Sequence, residues 1–274
     1  MPAGAWAIDH PHLDRHVLQV ASAPRVNLAD MARLQDERRA SREATSYHVA
    51  DGIALIDVSG VILPRVPLIY EILEIPAIST EQLRIDLNAA AHDPAVSAVI
   101  MTVSSPGGSV AGVEQAARAA LRLRDRKPLV AYVDDLAASA GYWLAAQANA
   151  VVANRTAKVG SIGVFTVIDD YSRYFENLGI SSHIIASSPL KTFGDEYSER
   201  LQRRQTADTR RGVDGILQAF AESVAAGRRV SEQTARQWAT GEIWLAPEAM
   251  DLGLIDRIAD FEDVYDAAVA AANE

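Results

Sequence analysis

Ser139 lies in Ala137-Ala138-Ser139-Ala140-Gly141-Tyr142-Trp143, one hydroxyl among small side chains directly after an apolar strand-like run. A serine at a strand-to-helix junction has two uses. Its oxygen can cap the helix, or it can act as a nucleophile beside backbone N–H groups that receive the developing oxyanion. Asp134 and Asp135 offer alternative caps just upstream, which favours the second use, although the segment is not a full G-x-S-x-G elbow. Ser105-Pro106-Gly107-Gly108-Ser109 carries paired glycines, which let successive N–H groups converge as an oxyanion hole requires, and which equally make an ordinary turn. Val159-Gly160-Ser161-Ile162-Gly163-Val164 sets a third serine between glycines, either as an inward hydroxyl or as a bulged strand entry.

A serine hydroxyl is a poor nucleophile until a base takes its proton. His48, His92 and His183 fall before a strand, late in a helix and within a strand, away from the three junctions. An amine remains. Of 26 basic residues only Lys127, Lys158 and Lys191 are lysines, and arginine does not deprotonate in a protein. Lys191, in Ser187-Ser-Pro-Leu-Lys-Thr-Phe-Gly194, is flanked by Leu190 and Phe193, whose burial around it would lower the amine pKa. Lys127, beside Arg126, and Lys158 read as solvated surface residues. The chain has no cysteine, hence no disulfide, thiolate metal site or cysteine nucleophile. His10, His12 and His16 include an i, i+4 pair, but no further cluster completes a site, so no metal or other cofactor is expected.

The elements that must position these residues start near Gly52. Ile53–Val58, Val61–Leu63, Ala95–Val103, Leu129–Val133, Ala150–Ala153, Ile162–Ile168 and Ser182–Ala186 read as strands. Ser79-Thr-Glu-Gln82 is a capping-box signature before a helix that Pro94 ends. Helices are also expected after Ser109, over Leu136–Ala150, over Asp170–Leu178 closed by Gly179, and from Tyr197 through Arg229. Apolar strands alternating with helices predict an α/β fold, a parallel sheet covered by helices, with a helical C-terminal part. Residues 1–50 read as an N-terminal arm, partly helical or mobile, and residues 51–274 as one domain.

A formal charge of −10 argues against a nucleic-acid-coating role, which needs a basic face. The beginning of the chain has no basic-then-apolar leader pattern, and no run of about 18 apolar residues occurs. A soluble, cytoplasmic protein without a membrane span is the expectation.

Taken in order, S-P-G-G-S at 105–109, A-A-S-A-G-Y-W at 137–143, G-S-I-G-V at 160–164 and Lys191 resemble the signal peptide peptidase A family of serine proteases. The run Ala246-Pro-Glu-Ala-Met-Asp-Leu-Gly-Leu-Ile-Asp256 adds to the likeness, which covers roughly residues 50–260. The resemblance implies a ClpP/crotonase-type spiral of βαβ units. It also implies Ser139 as nucleophile, Lys191 as general base, Ser161 as the hydroxyl that orients the amine, and Gly107 or Gly108 with the Ala140 N–H as oxyanion hole. The short chain looks closer to phage-type, head-assembly members than to membrane-anchored ones. Ser104 stands where many relatives have Asp or Asn, and Gly194-Asp195-Glu196 where many have Gly-x-Pro.

The function implied is a Ser-Lys endopeptidase acting on extended or unfolded protein, phage head proteins among the candidates. Relatives assemble into closed oligomers, and the Ala-rich stretch Leu217–Ala226 looks like more apolar surface than one domain buries, so a homo-oligomer is expected. Two alternatives use the same fold: a crotonase-like acyl-CoA enzyme, which would need acidic groups such as Asp134 or Asp135 at its site, and an assembly factor without catalysis.

Overall fold

The computed structural model describes residues 6–8, 45–168, 172–180, 185, 187 and 199–272. Its frame is a sheet in the order Ile243–Leu245, Lys158–Gly160, Leu129–Ala138, Ala98–Ser105, Ile53–Ser59 and His48–Ala50. In chain order these are β2 (His48–Ala50), β3 (Ile53–Ser59), β6 (Ala98–Ser105), β8 (Leu129–Ala138), β10 (Lys158–Gly160) and β11 (Ile243–Leu245). β9 (Ala150–Ala153) pairs with β8, and β12 (Arg257–Ile258) with β9. The ladders β3–β6, β6–β8, β8–β9, β8–β10 and β9–β12 are parallel, while β2–β3 and β10–β11 are antiparallel. A smaller sheet runs β1 (Trp6–Ile8), β7 (Gly107–Ser109), β4 (Val61–Leu63), β5 (Ala77–Ser79).

Parallel neighbours need crossovers, and the chain supplies them in a repeating way. β3 leads through β4 and β5 into α2 (Thr80–His92), and β6 leads through β7 into α3 (Val113–Arg124). β8 leads into the short α4 (Ala140–Ala145) and then β9. Each turn of this α/β spiral lays a strand in the large sheet before a helix returns the chain. α1 (Leu68–Ile72) caps the small sheet through Tyr70, which packs with Val61 and Leu63.

Both faces of the large sheet are covered. Leu83, Leu87 and Ala90 of α2, with Val113, Ala117 and Leu123 of α3, pack on one face. α9 (Phe261–Ala272) covers part of the other, where Val264 meets Ile53, Ile100 and Val152 and Phe261 makes an edge contact with Tyr132. Truncating a wholly buried side chain such as Leu87 to alanine costs about 2–5 kcal/mol. Ser79 caps α2 by accepting the Gln82 N–H at 3.3 Å, as the sequence pattern predicts. The carboxyl-terminal part is mainly helical: α6 (Glu199–Arg228), α7 (Glu232–Trp238), α8 (Ala246–Asp251) and α9.

Several expectations change. The helix expected from Leu136 starts at Ala140, because β8 continues to Ala138 through a register shift against β6. Val103 faces Val133, but Ser105 faces Ala137, so β8 holds extra residues there, and Asp134 and Asp135 are exposed strand residues rather than caps. Ile162–Ile168 does not form a strand; only Phe165 makes an isolated bridge, and the run leaves the sheet at Ser161. Lys127 is no free surface residue: its ammonium donates to the carbonyls of Ala90 at 2.8 Å and Asp93 at 2.6 Å, closing the end of α2. Within Leu217–Ala226, Phe220, Ala221, Val224 and Ala225 are buried in the chain's own core, while Leu217 and Ala219 are half-buried and Ala226 is exposed. α5 (Ser172–Asn177) forms and is followed by Gly179 at φ 67°. Most of the strand expected over Ser182–Ala186 lies outside the described residues, as do His10, His12, His16, His183 and Lys191.

Candidate active site

Ser139 has φ 54° and ψ −117°, a conformation that a side chain makes costly, on the order of 1–3 kcal/mol. The surrounding structure enforces it from both sides. Its N–H donates to the Gly160 carbonyl at 2.8 Å, and its carbonyl accepts the Trp143 N–H at 2.9 Å, the first turn of α4. Every residue of α4 is buried, and Trp143 stacks on Phe220 with ring centroids 4.3 Å apart. Tyr142 donates its hydroxyl to the Leu254 carbonyl at 2.9 Å, and burial pushes its phenol pKa up. The helix is therefore fixed, and the serine before it has no freedom to relax.

The capping use of Ser139 is not realised: its side chain makes no cap hydrogen bond to α4. Its oxygen instead reaches the Gly163 carbonyl at 3.5 Å, a long contact, with the residue 1% exposed. A strained strand-to-helix turn whose serine does not cap the helix is the backbone arrangement of a nucleophile elbow.

The small neighbours have specific work. A Cβ on Gly141 would sit 3.0 Å from the Ser105 carbonyl oxygen and 3.2 Å from its Cβ, so glycine lets the Ser105–Gly108 turn pack on the first turn of α4. The pairing of Ser105 with Ala137, set by the register shift, brings the same two segments together from the strand side. Within that turn Gly107 has φ 95°, and its N–H donates to Ser105 Oγ at 3.1 Å, while Ser105 Oγ donates to the Gly60 carbonyl at 2.6 Å. A Cβ on Gly108 would lie 1.8 Å from the Ile62 carbonyl oxygen, which no side chain tolerates. Ser105, quoted in the sequence motif without a role, is thus the brace of the glycine pair.

Ser161 stands level with Ser139 on the adjacent parallel strand, since Gly160 faces Ala138. It too has a left-handed φ, 52°, and its N–H donates to the Glu242 carbonyl at 2.6 Å. Gly160, at φ 130°, would place a Cβ 2.6 Å from that same carbonyl oxygen. Glu242 carries no signal in the sequence, because its role is a backbone contact across the sheet, whereas Gly160 belongs to the glycine-flanked run around Ser161. The structure thus sets Ser139 and Ser161 at the same level on neighbouring strands and packs β7, with Gly107 and Gly108, on α4, which begins at Ala140. Among the described residues no group of three or more His, Cys, Asp or Glu side chains could hold a metal.

Asp256, at the end of the run noted beside the site motifs, anchors this region from behind. It accepts two hydrogen bonds from Arg228, at 2.7 and 2.8 Å, and the Val151 N–H at 2.7 Å. Burial alone would raise its pKa, but the Arg228 fork and the Val151 N–H outweigh it and hold the carboxyl below the usual carboxylate range.

The model of peptidase family S49 matches residues 122–273, more than half of the chain and including Ser139 and Ser161. The chain belongs to peptidase family S49. The chain is 33% identical over 223 residues to "Capsid assembly protease C" of Escherichia phage lambda, covering 81% of this chain and 50% of that protein. It is 34% identical over 190 residues to "Protease 4" of Salmonella typhi, covering 66% and 29%, and 28% identical to "Head-tail preconnector protein GP5" of Enterobacteria phage P21, covering 85% and 46%. The chain thus spans half or less of these relatives. A solved enoyl-CoA hydratase/isomerase family member superposes at TM-score 0.49 and 19% identity, over 83% of this chain and 75% of that one. Among the described residues no helix of the S49 chain is long and apolar enough to cross a membrane.

Proposed function

We propose that this S49 chain is a serine endopeptidase with Ser139 as nucleophile and Lys191 as general base. The observation that carries the reading is the conformation of Ser139, strained, not engaged in capping, and packed through Gly141 against the Ser105–Gly108 turn. In the reaction, Ser139 Oγ attacks the substrate carbonyl carbon and its proton passes to the neutral Lys191 amine. The oxyanion is received by the Ala140 N–H and that of Gly107 or Gly108. Because Ser105 Oγ already holds the Gly107 N–H, Gly108 is the better candidate. The Lys191 ammonium then protonates the leaving amine, and water hydrolyses the acyl-serine by the same route in reverse. Ser161 holds the amine toward Ser139.

The substrates fitting this reading are extended protein segments, and the relationship to a phage capsid assembly protease and a head-tail preconnector protein supports phage head proteins as the natural ones. Residues 51–274 form the peptidase unit and residues 1–50 an arm that adds β1 and β2 to its sheets, in a homo-oligomer located in the cytoplasm. Support for assembly comes from relatives of the resembled family and from the exposed apolar side chains Val167, Ile168, Tyr174, Leu178 and Ile180. The acyl-CoA alternative is not favoured: Asp134 and Asp135, its acidic candidates, are exposed on the β8 irregularity, and the sequence relatives above bear protease or phage head-assembly names. Hydrolysis of fluorescein-labelled casein by the wild-type chain, lost in both Ser139→Ala and Lys191→Ala, is the expected result. Acetyl-CoA turnover without proteolysis would reverse the choice.

A further inference from the structure

β7 is bordered on both sides. On one side Ile62 of β4 faces Gly108. On the other lies β1, antiparallel, with Trp6 opposite Ser109, Ala7 opposite Gly108 and Ile8 opposite Gly107. Without β1, β7 would be the edge of the small sheet, and a strand edge with unpaired N–H and C=O groups is a template for an extended peptide.

The direction of β1 matters. Running from Trp6 to Ile8, it travels from Ser109 to Gly107, hence toward Ser105, the residue packed on Gly141 beside Ser139. A substrate paired to the same edge and offering its next carbonyl to Ser139 would run the same way. Ala-Gly-Ala-Trp-Ala-Ile over residues 3–8 is uncharged, and its Trp and Ile favour extended backbone. Pairing within one chain avoids the translational entropy that a separate peptide loses, so even a weak strand competes effectively.

We propose that β1 occupies the substrate's strand position on β7, so that this chain regulates its own site by an intramolecular competitor. The inference rests on the peptidase reading of Ser139 and the Gly107–Gly108 turn. Substrate must displace β1 before it pairs with β7; an edge free only about a tenth of the time would raise the apparent dissociation constant about tenfold.

The test uses the full chain carrying Ala7→Pro and Ile8→Pro together. N–H groups alternate in direction along a strand, so two consecutive prolines remove whichever donor faces β7. The expected result is a KM for labelled casein lowered about tenfold with kcat unchanged. A synthetic peptide of residues 1–12 added in trans should inhibit the double-proline chain competitively, and the same peptide with both prolines should not. Equal KM in the two chains together with no inhibition by the peptide overturns the proposal. A binding arm separates it from the peptidase reading: the labelled 1–12 peptide is titrated into the double-proline chain that also carries Ser139→Ala. Binding there without hydrolysis by any form leaves strand occupancy standing and refutes the peptidase reading. Hydrolysis with no peptide binding refutes occupancy alone.

Discussion

Ser139 and Ser161 leave neighbouring parallel strands at the same level, both with a left-handed backbone, and the Ser139 N–H donates to the carbonyl of Gly160, the residue just before Ser161. Two strained serines tied by one backbone hydrogen bond are hard to explain by turn preference alone, since a glycine would satisfy either φ at less cost. Ser161→Ala, which keeps the backbone demand and removes only the hydroxyl, should lower kcat roughly 10–100-fold without reaching the loss at Ser139, and should shift the ascending limb of kcat/KM against pH. Unchanged kinetics would reduce Ser161 to a strand-exit residue.

Gly141→Ala tests how the turn and the elbow are joined. The new methyl must push the Ser105 backbone away by a few tenths of an ångström, at a cost of about 1–3 kcal/mol for overpacking. The expected outcome is a folded chain, less stable in urea, whose kcat falls more than its KM rises. Full activity with full stability would show that Ser105 moves aside freely and that the turn is not held by α4.

Lys127→Ala should leave peptidase activity intact and lower stability by about 1–3 kcal/mol, because two charged hydrogen bonds to the end of α2 are lost. Lys158→Ala, at an exposed strand position, should change neither quantity measurably. A Lys127→Ala chain of normal stability and no activity would mean that the wrong amine has been assigned as base.

The alternation of apolar strands and helices foretells the covered parallel sheet, and the crowding of small residues around Ser139 marks a tight strand-to-helix junction, which the structure shows as a turn at φ 54°. The end of β8 was hidden, because a strand that gains residues by a register shift exposes Asp134 and Asp135 and so imitates a polar loop with caps. Ile162–Ile168 has the composition of a strand, yet the positive φ of Ser161 turns the run out of the sheet. Lys127 resembled a surface residue because its partners are main-chain carbonyls 34 and 37 residues away, and backbone acceptors leave no trace in side-chain patterns. The pairing of β1 with β7 was likewise invisible: three residues carry too little pattern to show where they dock.

Asp256 sets an acid limit. Its folded pKa lies below its unfolded value of about 3.9, so its contribution is fully present above that value and is lost as pH falls through the folded pKa. The melting temperature of the wild type should therefore fall more steeply below about pH 4 than that of Asp256→Asn, which should be less stable at pH 7. Parallel curves would show that the Arg228 fork contributes nothing to folding.

The central claim, that Ser139 is the nucleophile, is tested most directly by peptide mapping of the chain after reaction with a fluorophosphonate. The account predicts one adduct, on Ser139, absent from Ser139→Ala and strongly reduced in Lys191→Ala. An adduct on another serine, or proteolysis that survives in Ser139→Ala, would contradict it.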